Sequence, residues 1–347
     1  MVVGGGVTGC AAALRLARAG LKVRLHDERR IAGGASGRNG GFALRGGAAP
    51  FDVTVETIGR GSAVWLWRQT EQALDRIEEL AGDALRRTGS LRLAADDEER
   101  DALAAELEAL RLGGFAAEWV DEPLQGRFRA AIFHPPDAAL QPARLVRRLA
   151  VAAAEAGVEL REHSRVESLA ELEAELFLVA TDGYPSGLLG ELEGLIVPTR
   201  GQMIATESLS ERVFDCPHYG RHGFDYWQQT PDGRILAGGF RDSALQDEFT
   251  TDETTTPGIQ RALEDLVADL VGRPLRVDYR WAGLFGLVMD FLPVVGRVPG
   301  DDRAWVAGGY SGHGNVLGFL CGELVADAML GRPAPELALF DPERLLG

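Results

Sequence analysis

The sequence has almost no lysine: Lys22 is its one lysine, and every other strongly basic residue is arginine. A Schiff-base lysine, or a lysine beside a cofactor, would therefore have to be Lys22. Asp and Glu outnumber Lys and Arg by 52 to 36, for a formal net charge of −16 at pH 7. Because this balance leaves no basic surface for phosphates, we expect no nucleic-acid partner.

Cysteine is also scarce, and its three residues, Cys10, Cys216 and Cys321, form no C-x-x-C pattern. We interpret them as reduced thiols in a cytoplasmic protein and predict no metal site. Long apolar runs are missing as well, since stretches such as 319–330 are short and contain acidic residues. We therefore expect no membrane span. The first glycine turn comes after three residues, and we expect no signal peptide.

Glycine is concentrated at the start of the chain, in MVVGGGVTGCAAALRLARAGLKVRLHDE. An apolar strand runs into Gly4, Gly6 and Gly9, a helix-like stretch follows, and a second apolar run ends at Asp27 and Glu28. In this fingerprint the glycines permit a sharp turn, a close approach of the backbone to a pyrophosphate, and tight packing of helix on strand. The helix N-terminus faces the phosphates, and the acidic strand end binds a ribose. The pattern predicts a dinucleotide site.

Two later segments are also glycine-rich. Residues 31–47 carry Ser36, Arg38 and Asn39 among glycines, and these donors indicate a second cofactor-contacting loop rather than a linker. Residues 304–331 again run from a strand through glycines into a helix. Because a helix N-terminus stabilises negative charge, this segment is a third candidate for cofactor contact.

The remaining pattern alternates helices and strands. Apolar spacing predicts helices over 55–86, 96–114 and 257–271, strands over 90–94 and 175–184, and a hairpin over 223–242 that turns at 231–233. The strand at 175–184 ends at Thr181, Asp182 and Gly183, and a parallel sheet places its ligand crevice at such an end. The dinucleotide-binding domain is therefore assembled from separated segments.

Several stretches resemble, in order, the motifs of a known flavoenzyme family: GGGVTG with Asp27, ASGRNGG, LVATDGY, PTRGQMIATE, DYWQQTPDGRILAGGFRD, WAGLFG with DFLPVVGR, and AGGYSGHGNVLGFLCGELVADAMLG. The sequence resembles FAD-dependent oxidoreductases of the D-amino-acid oxidase and sarcosine oxidase fold, and among them the γ-glutamylputrescine oxidase-like branch. The resemblance covers nearly the whole chain. It implies an α/β fold with a discontinuous Rossmann-like FAD-binding domain (1–88, 138–197 and 283–347) and a mixed-sheet α+β substrate-binding domain (89–137 and 198–282).

The resemblance also implies which residues contact FAD. The pyrophosphate and ribose contacts are Gly4, Gly6, Val7, Thr8, Gly9, Asp27 and Glu28. The diphosphate and the isoalloxazine edge would lie along Ala35, Ser36, Arg38, Asn39, Gly40 and Gly41. The remaining contacts are Val166 at the adenine, Thr181 and Gly183 at the strand end, and Gly312, His313, Gly314, Asn315 and Val316 at the pyrimidine side.

Departures from the family pattern concern the substrate. Where glycine and D-amino-acid oxidases carry an arginine that binds the substrate carboxylate, this sequence has Phe285, and a second such arginine falls at Gly312. Since a guanidinium fork is the strong way to hold a carboxylate, an α-amino acid is disfavoured and an amine is favoured. Candidate substrate-binding residues are Phe42, Tyr226, Trp227, Phe285 and Tyr310, which could instead be core aromatics. Candidate catalytic residues are Tyr226 and His313, and His313 could instead be an ordinary loop histidine.

Two further departures concern the flavin. Residues 282–290, which match the segment where sarcosine oxidases attach FAD to a cysteine, contain none, so we expect non-covalent FAD. The lysine that those enzymes use to activate oxygen is also missing. Reoxidation by O₂ would need another cation, such as Arg241 or His313, or a different electron acceptor.

The resulting expectation is an FAD-dependent amine oxidase. It would oxidise the C–N bond of a polyamine, alkylamine or γ-glutamyl amine to an imine by hydride transfer, with O₂ as acceptor and H₂O₂ as product. The alternative is an oxidase of D-amino acids, glycine or sarcosine-type substrates, or a dehydrogenase that passes electrons to another acceptor. A flavin-binding protein without amine turnover also stays open.

Overall fold

The computed structural model describes residues 1–346. In chain order the strands are β1 (Val2–Val3), β2 (Arg24–His26), β3 (Phe42–Ala43), β4 (Leu85–Arg86), β5 (Ser90–Ala94), β6 (Glu118–Asp121), β7 (Ala130–His134), β8 (Ala138–Leu140), β9 (Glu159–Arg161), β10 (Phe177–Val179), β11 (Val197–Ser208), β12 (His218–Gly220), β13 (Asp225–Gln229), β14 (Arg234–Gly239), β15 (Val277–Leu287), β16 (Val294–Arg297) and β17 (Ala304–Gly308).

The α-helices are α1 (Val7–Arg18), α2 (Ala35–Arg38), α3 (Phe51–Ile58), α4 (Arg60–Ala81), α5 (Asp97–Leu112), α6 (Pro123–Gly126), α7 (Pro142–Glu155), α8 (Leu245–Glu248), α9 (Pro257–Val271) and α10 (Leu317–Met329). Short 3-10 helices lie at Gly82–Ala84, Leu169–Glu171, Gly190–Leu195, Arg221–Gly223, Arg241–Ala244, Pro335–Leu339 and Pro342–Leu345. Within residues 1–346, every helix is too short or too polar to cross a membrane.

A six-stranded sheet forms the Rossmann-like half of the molecule, in the order β16-β17-β10-β1-β2-β9. All its neighbouring strands are parallel except β16 and β17. Val2 and Val3 in β1 are buried, as expected for a parallel sheet covered on both faces. Helix α1 packs against both α7 and α10.

The close packing of α1 depends on glycine at two places. A side chain on Gly9 would overlap the carbonyl oxygen of Gly4, so the helix can follow the strand this tightly only with glycine there. Gly4 itself has a φ of +109°, which an L side chain rarely adopts. A side chain on Gly322 in α10 would meet the backbone of Thr8, so the two helices also approach each other closely.

An eight-stranded mixed sheet forms the other half, in the order β15-β11-β14-β13-β12-β5-β7-β6. Its pairs are antiparallel except β12 with β5. One face packs with α9 into a core that includes Trp227, Ile235 and Leu263. A three-stranded sheet has the order β3-β8-β4. Its first strand, β3, lies within residues 31–47, the second segment that the sequence predicted to contact the cofactor.

The sequence predicted several of these elements, and the fold class is confirmed. The helix at 257–271, the strand at 90–94 and the hairpin are found as predicted. The single helix predicted over 55–86 is wrong: the chain breaks at Gly59, where φ is +78°, and α4 ends at Ala81. The six-stranded sheet uses only strands from the proposed FAD-binding segments. The proposed boundary after residue 282 falls inside β15, so we retain the domain division as a proposal in which both domains share this strand.

Candidate active site

The cofactor cradle, defined here as Gly4 to Gly9 with Asp27 and Ser36, joins the first two predicted cofactor segments. The Ser36 hydroxyl accepts a hydrogen bond from the Val7 N–H at 3.0 Å, at the N-terminus of α1. A side chain on Gly6 would come within 2.9 Å of the same hydroxyl oxygen, so the cradle stays open only with glycine there. These contacts bring together the glycine turn and the second loop, which the sequence had each predicted to contact the cofactor.

The acidic end of β2 lies beside the cradle. Asp27 accepts hydrogen bonds from the backbone N–H groups of Gly5 and Arg29, both at 2.7 Å, so its carboxylate is held in place. A cavity of about 100 Å³ opens here, and its lining includes Asp27, Glu28, Val166, Thr181 and His26. The Nε2 atom of His26 is buried and has no partner among the described residues. An open glycine cradle and a buried polar atom without a partner fit a bound dinucleotide.

Two other predicted cofactor residues turn elsewhere. The Arg38 guanidinium is held by Glu253 at 2.8 Å, and the same carboxylate binds Arg29, so the charge of Arg38 is already paired. A side chain on Gly183 would overlap the backbone of Phe285. The structure therefore places Gly183 in a packing contact with β15 and does not bring the Arg38 guanidinium to the cradle.

Asn39 and Asn315 connect the second and third predicted cofactor segments. The Asn39 amide donates to Asn315 Oδ1 at 3.1 Å, and the Asn315 amide donates to Asn39 Oδ1 at 3.0 Å. The Asn315 amide also donates to the Phe42 carbonyl at 2.8 Å. This reciprocal pair fixes the two loops relative to each other.

Two positioning residues escaped the sequence prediction of the site. Asp182 is half-buried and accepts hydrogen bonds from the N–H groups of Gly286 (3.0 Å) and Gly309 (2.8 Å), which joins the ends of β10, β15 and β17. Gln228 donates from its side-chain amide to the Gly41 carbonyl at 2.9 Å and thereby holds the loop against β13. The sequence had named Asp182 at the strand end without assigning it a role, and it offered no signal for Gln228.

Three predicted substrate-binding residues gather next to this loop and form what we call the aromatic wall: Phe42, Tyr226 and Phe285. The rings of Phe42 and Tyr226 meet edge to face, 5.9 Å apart and at 81°. A side chain on Gly40 would lie 3.2 Å from the Tyr226 ring, so the wall borders the cofactor loop directly. At Gly201, a side chain would lie 3.7 Å from the Phe285 ring and 3.8 Å from the Tyr226 hydroxyl, so both residues share this spot on the sheet.

Trp227 and Tyr310 do not reach the aromatic wall, contrary to the prediction. Successive strand residues point to opposite faces, so Trp227 lies on the other side of the sheet from Tyr226. It is 1% exposed and stacks on His218 with ring centroids 5.4 Å apart. Tyr310 is buried, and its hydroxyl accepts a hydrogen bond from Thr8 at 2.9 Å. Both are core aromatics.

Arg241 lies at the aromatic wall, although the sequence did not predict it as a substrate-binding residue. Its guanidinium carbon lies 5.5 Å from the centre of the Phe285 ring and 4.5 Å from that of Phe224. No carboxylate among residues 1–346 forms an ion pair with it. Burial lowers the pKa of Arg241, while the guanidinium stays charged at neutral pH. The aromatic wall therefore contains a cation without an ion-pair partner among the described residues, next to Phe285, the position at which the sequence lacks the arginine expected from amino-acid oxidases.

His313 and Tyr226, the predicted catalytic residues, stand in environments that favour their neutral forms. Burial, together with the positive charge of Arg92, lowers the pKa of His313 to about 4. Burial raises the pKa of Tyr226. Near pH 7 His313 is thus a neutral hydrogen-bonding group and a weak base, and the Tyr226 hydroxyl keeps its proton.

The three cysteines are thiols buried in the protein. Burial raises the pKa of Cys10 and of Cys216 to about 12, which leaves both as inert thiols near neutral pH. Across residues 1–346 no group of His, Cys, Asp or Glu side chains is arranged to hold a metal ion.

Comparison with known proteins extends these observations. The family model described as DAO, FAD dependent oxidoreductase, matches residues 1–328. Gamma-glutamylputrescine oxidoreductase from Escherichia coli is 29% identical over 365 residues, covering 95% of this chain and 83% of the relative. Glycine oxidase from Bacillus licheniformis is 26% identical over 369 residues, covering 96% of this chain and 93% of the relative.

Solved structures show the same fold. Glycine oxidase from Geobacillus kaustophilus superposes with a TM-score of 0.79 at 24% identity, over 100% of this chain and 98% of that one. L-proline dehydrogenase from P. horikoshii gives a TM-score of 0.80 at 22% identity, over 99% of this chain and 96% of that one. With the cradle, the joined loops and a family match over nearly the whole chain, this protein belongs to the DAO family of FAD-dependent oxidoreductases and uses FAD as its cofactor.

Proposed function

We propose that this protein oxidises the C–N bond of a small amine to an imine, with FAD held non-covalently and O₂ as the electron acceptor. The substrate class is a polyamine, an alkylamine or a γ-glutamyl amine. The imine then hydrolyses in water to an aldehyde and an amine or ammonia, and O₂ is reduced to H₂O₂. The name of the E. coli relative, gamma-glutamylputrescine oxidoreductase, supports an amine of this class.

The observation that carries the proposal is the aromatic wall beside the cofactor loop. Phe285 takes the place that an arginine has in amino-acid oxidases, and with Phe42 and Tyr226 it offers an apolar surface for a carbon chain. Burying such a chain against three aromatic rings is favourable at about 25 cal/mol for each Å² of apolar surface removed from water. The wall therefore supports a substrate held mainly by its hydrocarbon part.

The chain's own residues favour the neutral form of the amine. The wall has a low polarity, which disfavours an ammonium ion, and the positive charge of Arg241 repels it. The Tyr226 hydroxyl keeps its proton, since burial raises its pKa, and can donate a hydrogen bond to the free amine nitrogen. When FAD is bound, it supplies the hydride acceptor. Asn39, Asn315 and Gln228 hold the loops that would orient the cofactor against the wall.

The proposal of O₂ as acceptor rests on Arg241 as well. Lys22 is exposed on the surface of the six-stranded-sheet half, so it cannot serve beside the aromatic wall. Arg241 is the cation that lies against Phe285, and a positive charge at this place would stabilise the negative charge that O₂ acquires during its reduction. His313, neutral near pH 7, does not supply such a charge.

The test is anaerobic addition of substrates to the purified flavoprotein. Putrescine, butylamine and a γ-glutamyl amine should bleach the flavin absorbance, and admission of air should restore it with formation of H₂O₂. Bleaching by D-amino acids but by none of the amines would contradict the amine assignment. Bleaching without recovery in air would contradict O₂ as the acceptor.

Arg241 also favours a second candidate function, the oxidation or dehydrogenation of an amino-acid-type substrate. An arginine without a carboxylate partner, stacked on Phe224 and Phe285, can receive a substrate carboxylate in a bidentate pair. The same titration separates the two functions, since glycine, sarcosine or a D-amino acid would then bleach the flavin more efficiently than butylamine.

A further inference from the structure

A second cavity lies next to Tyr219, whose ring centre is 6.4 Å from that of Phe42. It has a volume of about 70 Å³, and its lining includes Arg45, Arg92, His134, Tyr219 and His313. One ordered water needs roughly 10–15 Å³ of such space, so the cavity has room for a small polar group. The cavity, which we call the acceptor pocket, is not part of the cradle or of the aromatic wall.

Several residues that line this pocket carry buried polar atoms without a hydrogen-bond partner among the described residues. Seven buried side-chain atoms of the described residues have no hydrogen-bond partner, and three of them belong to residues that line the pocket: Arg45 Nε, His134 Nε2 and His313 Nδ1. Arg45 and His134 are each 5% exposed. Buried polar groups in native proteins are almost always paired, so these three atoms indicate a missing partner.

The hydrogen bonds around His134 show that this missing partner must be an acceptor. Arg45 Nη2 lies 3.3 Å from His134 Nδ1, and a guanidinium can only donate, so Nδ1 is the acceptor nitrogen. Burial, with the charges of Arg45 and Arg92, lowers the pKa of His134 well below its usual value, so the ring is neutral. Its one proton therefore lies on Nε2, the atom without a partner. Arg45 Nε is likewise a donor.

The acidic groups of the pocket are already occupied. Asp137 accepts from the Ser90 hydroxyl at 2.6 Å and from the Arg45 backbone at 3.0 Å. Glu106 accepts from Arg92 Nη1 at 2.5 Å. Arg92 has no other hydrogen bond within residues 1–346, so its remaining N–H groups add to the donors. Arg45 is paired with Glu71 and Arg92 with Glu106, so the pocket offers hydrogen-bond donors to an acceptor oxygen rather than an excess of positive charge.

The pocket adjoins the reaction site on two sides. Phe42 contacts the ring of Tyr219 in the pocket, 6.4 Å away, as well as that of Tyr226 in the wall. His313, which lines the pocket, stands two residues before Asn315, whose amide is bonded to the cofactor loop. A substrate lying along the wall would therefore reach the pocket with its far end.

We infer that the acceptor pocket binds a carbonyl or carboxylate oxygen at the end of the substrate remote from the oxidised C–N bond. The donors are His134 Nε2, Arg45 Nε and Arg92. This inference rests on the proposed function and narrows its substrate class: the amine carries an amide or a carboxylate several bonds from the reacting carbon.

The test compares amines that differ in this one group. We expect kcat/KM for 4-aminobutanoate, 5-aminopentanoate or their amides to exceed that for butylamine or pentylamine by about tenfold to hundredfold, the effect of one or two hydrogen bonds to charged or buried donors. Comparison of the carboxylates with the amides identifies which of the two groups the pocket binds. If no amine bleaches the flavin, the proposed function fails; if all bleach it with equal efficiency, only this inference fails.

Two pocket variants give a second measurement. His134→Phe removes a donor with little change of ring volume, and Arg92→Lys keeps the charge opposite Glu106 while it removes the fork. Each should reduce the preference for acceptor-bearing amines about tenfold, and calorimetric titration of the holoenzyme with pentanoate and pentanamide should show weaker binding. Thermal unfolding and flavin absorbance check that the variants are folded. Arg100→Lys, on the exposed face of α5, is the control and should keep the preference. A preference that survives both pocket variants, or that only Arg241→Gln removes, would overturn the inference.

Discussion

The cofactor cradle and the acceptor pocket are built in opposite ways. The cradle consists mainly of backbone, and the polar side chains that form it, Asp27 and Ser36, are already hydrogen-bonded to backbone N–H groups. The pocket consists of residues from three strands, two α-helices and the loops around them, and several of their donors have no partner among the described residues. The cradle therefore accommodates its ligand because its glycines leave space. The pocket would hold its ligand by hydrogen bonds from donors that have no partner within the described part of the protein.

This difference predicts how each region responds to mutation. A change in the cradle should weaken cofactor binding strongly, because backbone cannot move aside without disturbing the first strand and helix. A change on the substrate side should act on the choice of substrate and leave the cofactor bound. The following three experiments test this division, from the largest expected effect to the smallest.

Gly9→Ala should have the largest effect. The new methyl group would overlap the Gly4 carbonyl oxygen, so the turn must shift, and overpacking of this kind costs about 1–3 kcal/mol. We expect FAD to bind about tenfold to hundredfold more weakly, as measured by flavin fluorescence during titration of the apoprotein.

Gly61→Ala is the matched control for that experiment. Gly61 lies in α4 with no atom near the position of a new methyl group, and alanine favours a helix over glycine by up to about 1 kcal/mol. We expect normal FAD binding and a small rise in the thermal midpoint. Equal loss of FAD in both variants would show that the cradle is not special.

Arg241→Gln should have an intermediate effect that is confined to the substrate side. If Arg241 receives a carboxylate, kcat/KM for carboxylate-bearing substrates should fall about tenfold to hundredfold, and that for butylamine should fall less. FAD content should be unchanged. Arg297→Gln is the control, since Arg297 also lies over an aromatic ring, 5.1 Å from Trp305, but on the surface. Similar losses for both substrate types would assign Arg241 to another role.

His313 should show the smallest effect, through pH. Because its folded-state pKa is lowered from 6.5 to about 4, it contributes stability that is fully present above pH 6.5 and is lost as the pH falls towards 4. In His313→Gln this part is missing, so the free energy of unfolding should decline less than in the wild type, by on the order of 1 kcal/mol between pH 7 and pH 5.

Urea unfolding at both pH values measures this difference. The comparison uses two chains at each pH because Asp137 acts in the opposite direction: burial raises its pKa to about 6, which favours the folded state as the pH falls. This contribution is common to both chains and cancels. An identical pH dependence in the two chains would contradict the burial of a neutral His313 ring.

The sequence predicted the cradle because its parts are local. The glycine turn, the strand before it and Asp27 are set by short-range rules of spacing, and the order of the later motifs placed the other two loops. The pairing of Asn39 with Asn315 follows from the same two loops, although each asparagine was predicted only as a cofactor contact.

The sequence named Arg241 only as a candidate cation for oxygen activation, and it predicted neither the contact of Arg241 with Phe285 nor the acceptor pocket. Arginine, glutamate and histidine occur throughout the chain. What makes Arg241 informative is its position on Phe285, and what makes His134 informative is the missing partner of its Nε2 atom; both depend on neighbours far away in sequence. Trp227 shows the same limit on a smaller scale. Successive residues of a strand point to opposite faces of the sheet, so Tyr226 and Trp227 lie on different faces. Because both residues are aromatic, the sequence did not show which of them faces the cofactor loop.

The reciprocal pair of Asn39 and Asn315 also constrains the order of assembly. The two residues are 276 positions apart, so this link between the two loops cannot form until the segment after β17 has been synthesised and has docked. Thr8 and Tyr310 impose the same requirement on the first helix, across 302 positions. Cofactor capture should therefore be one of the last steps of folding, and a nascent chain that lacks the last helix would present a glycine turn without a complete flavin site.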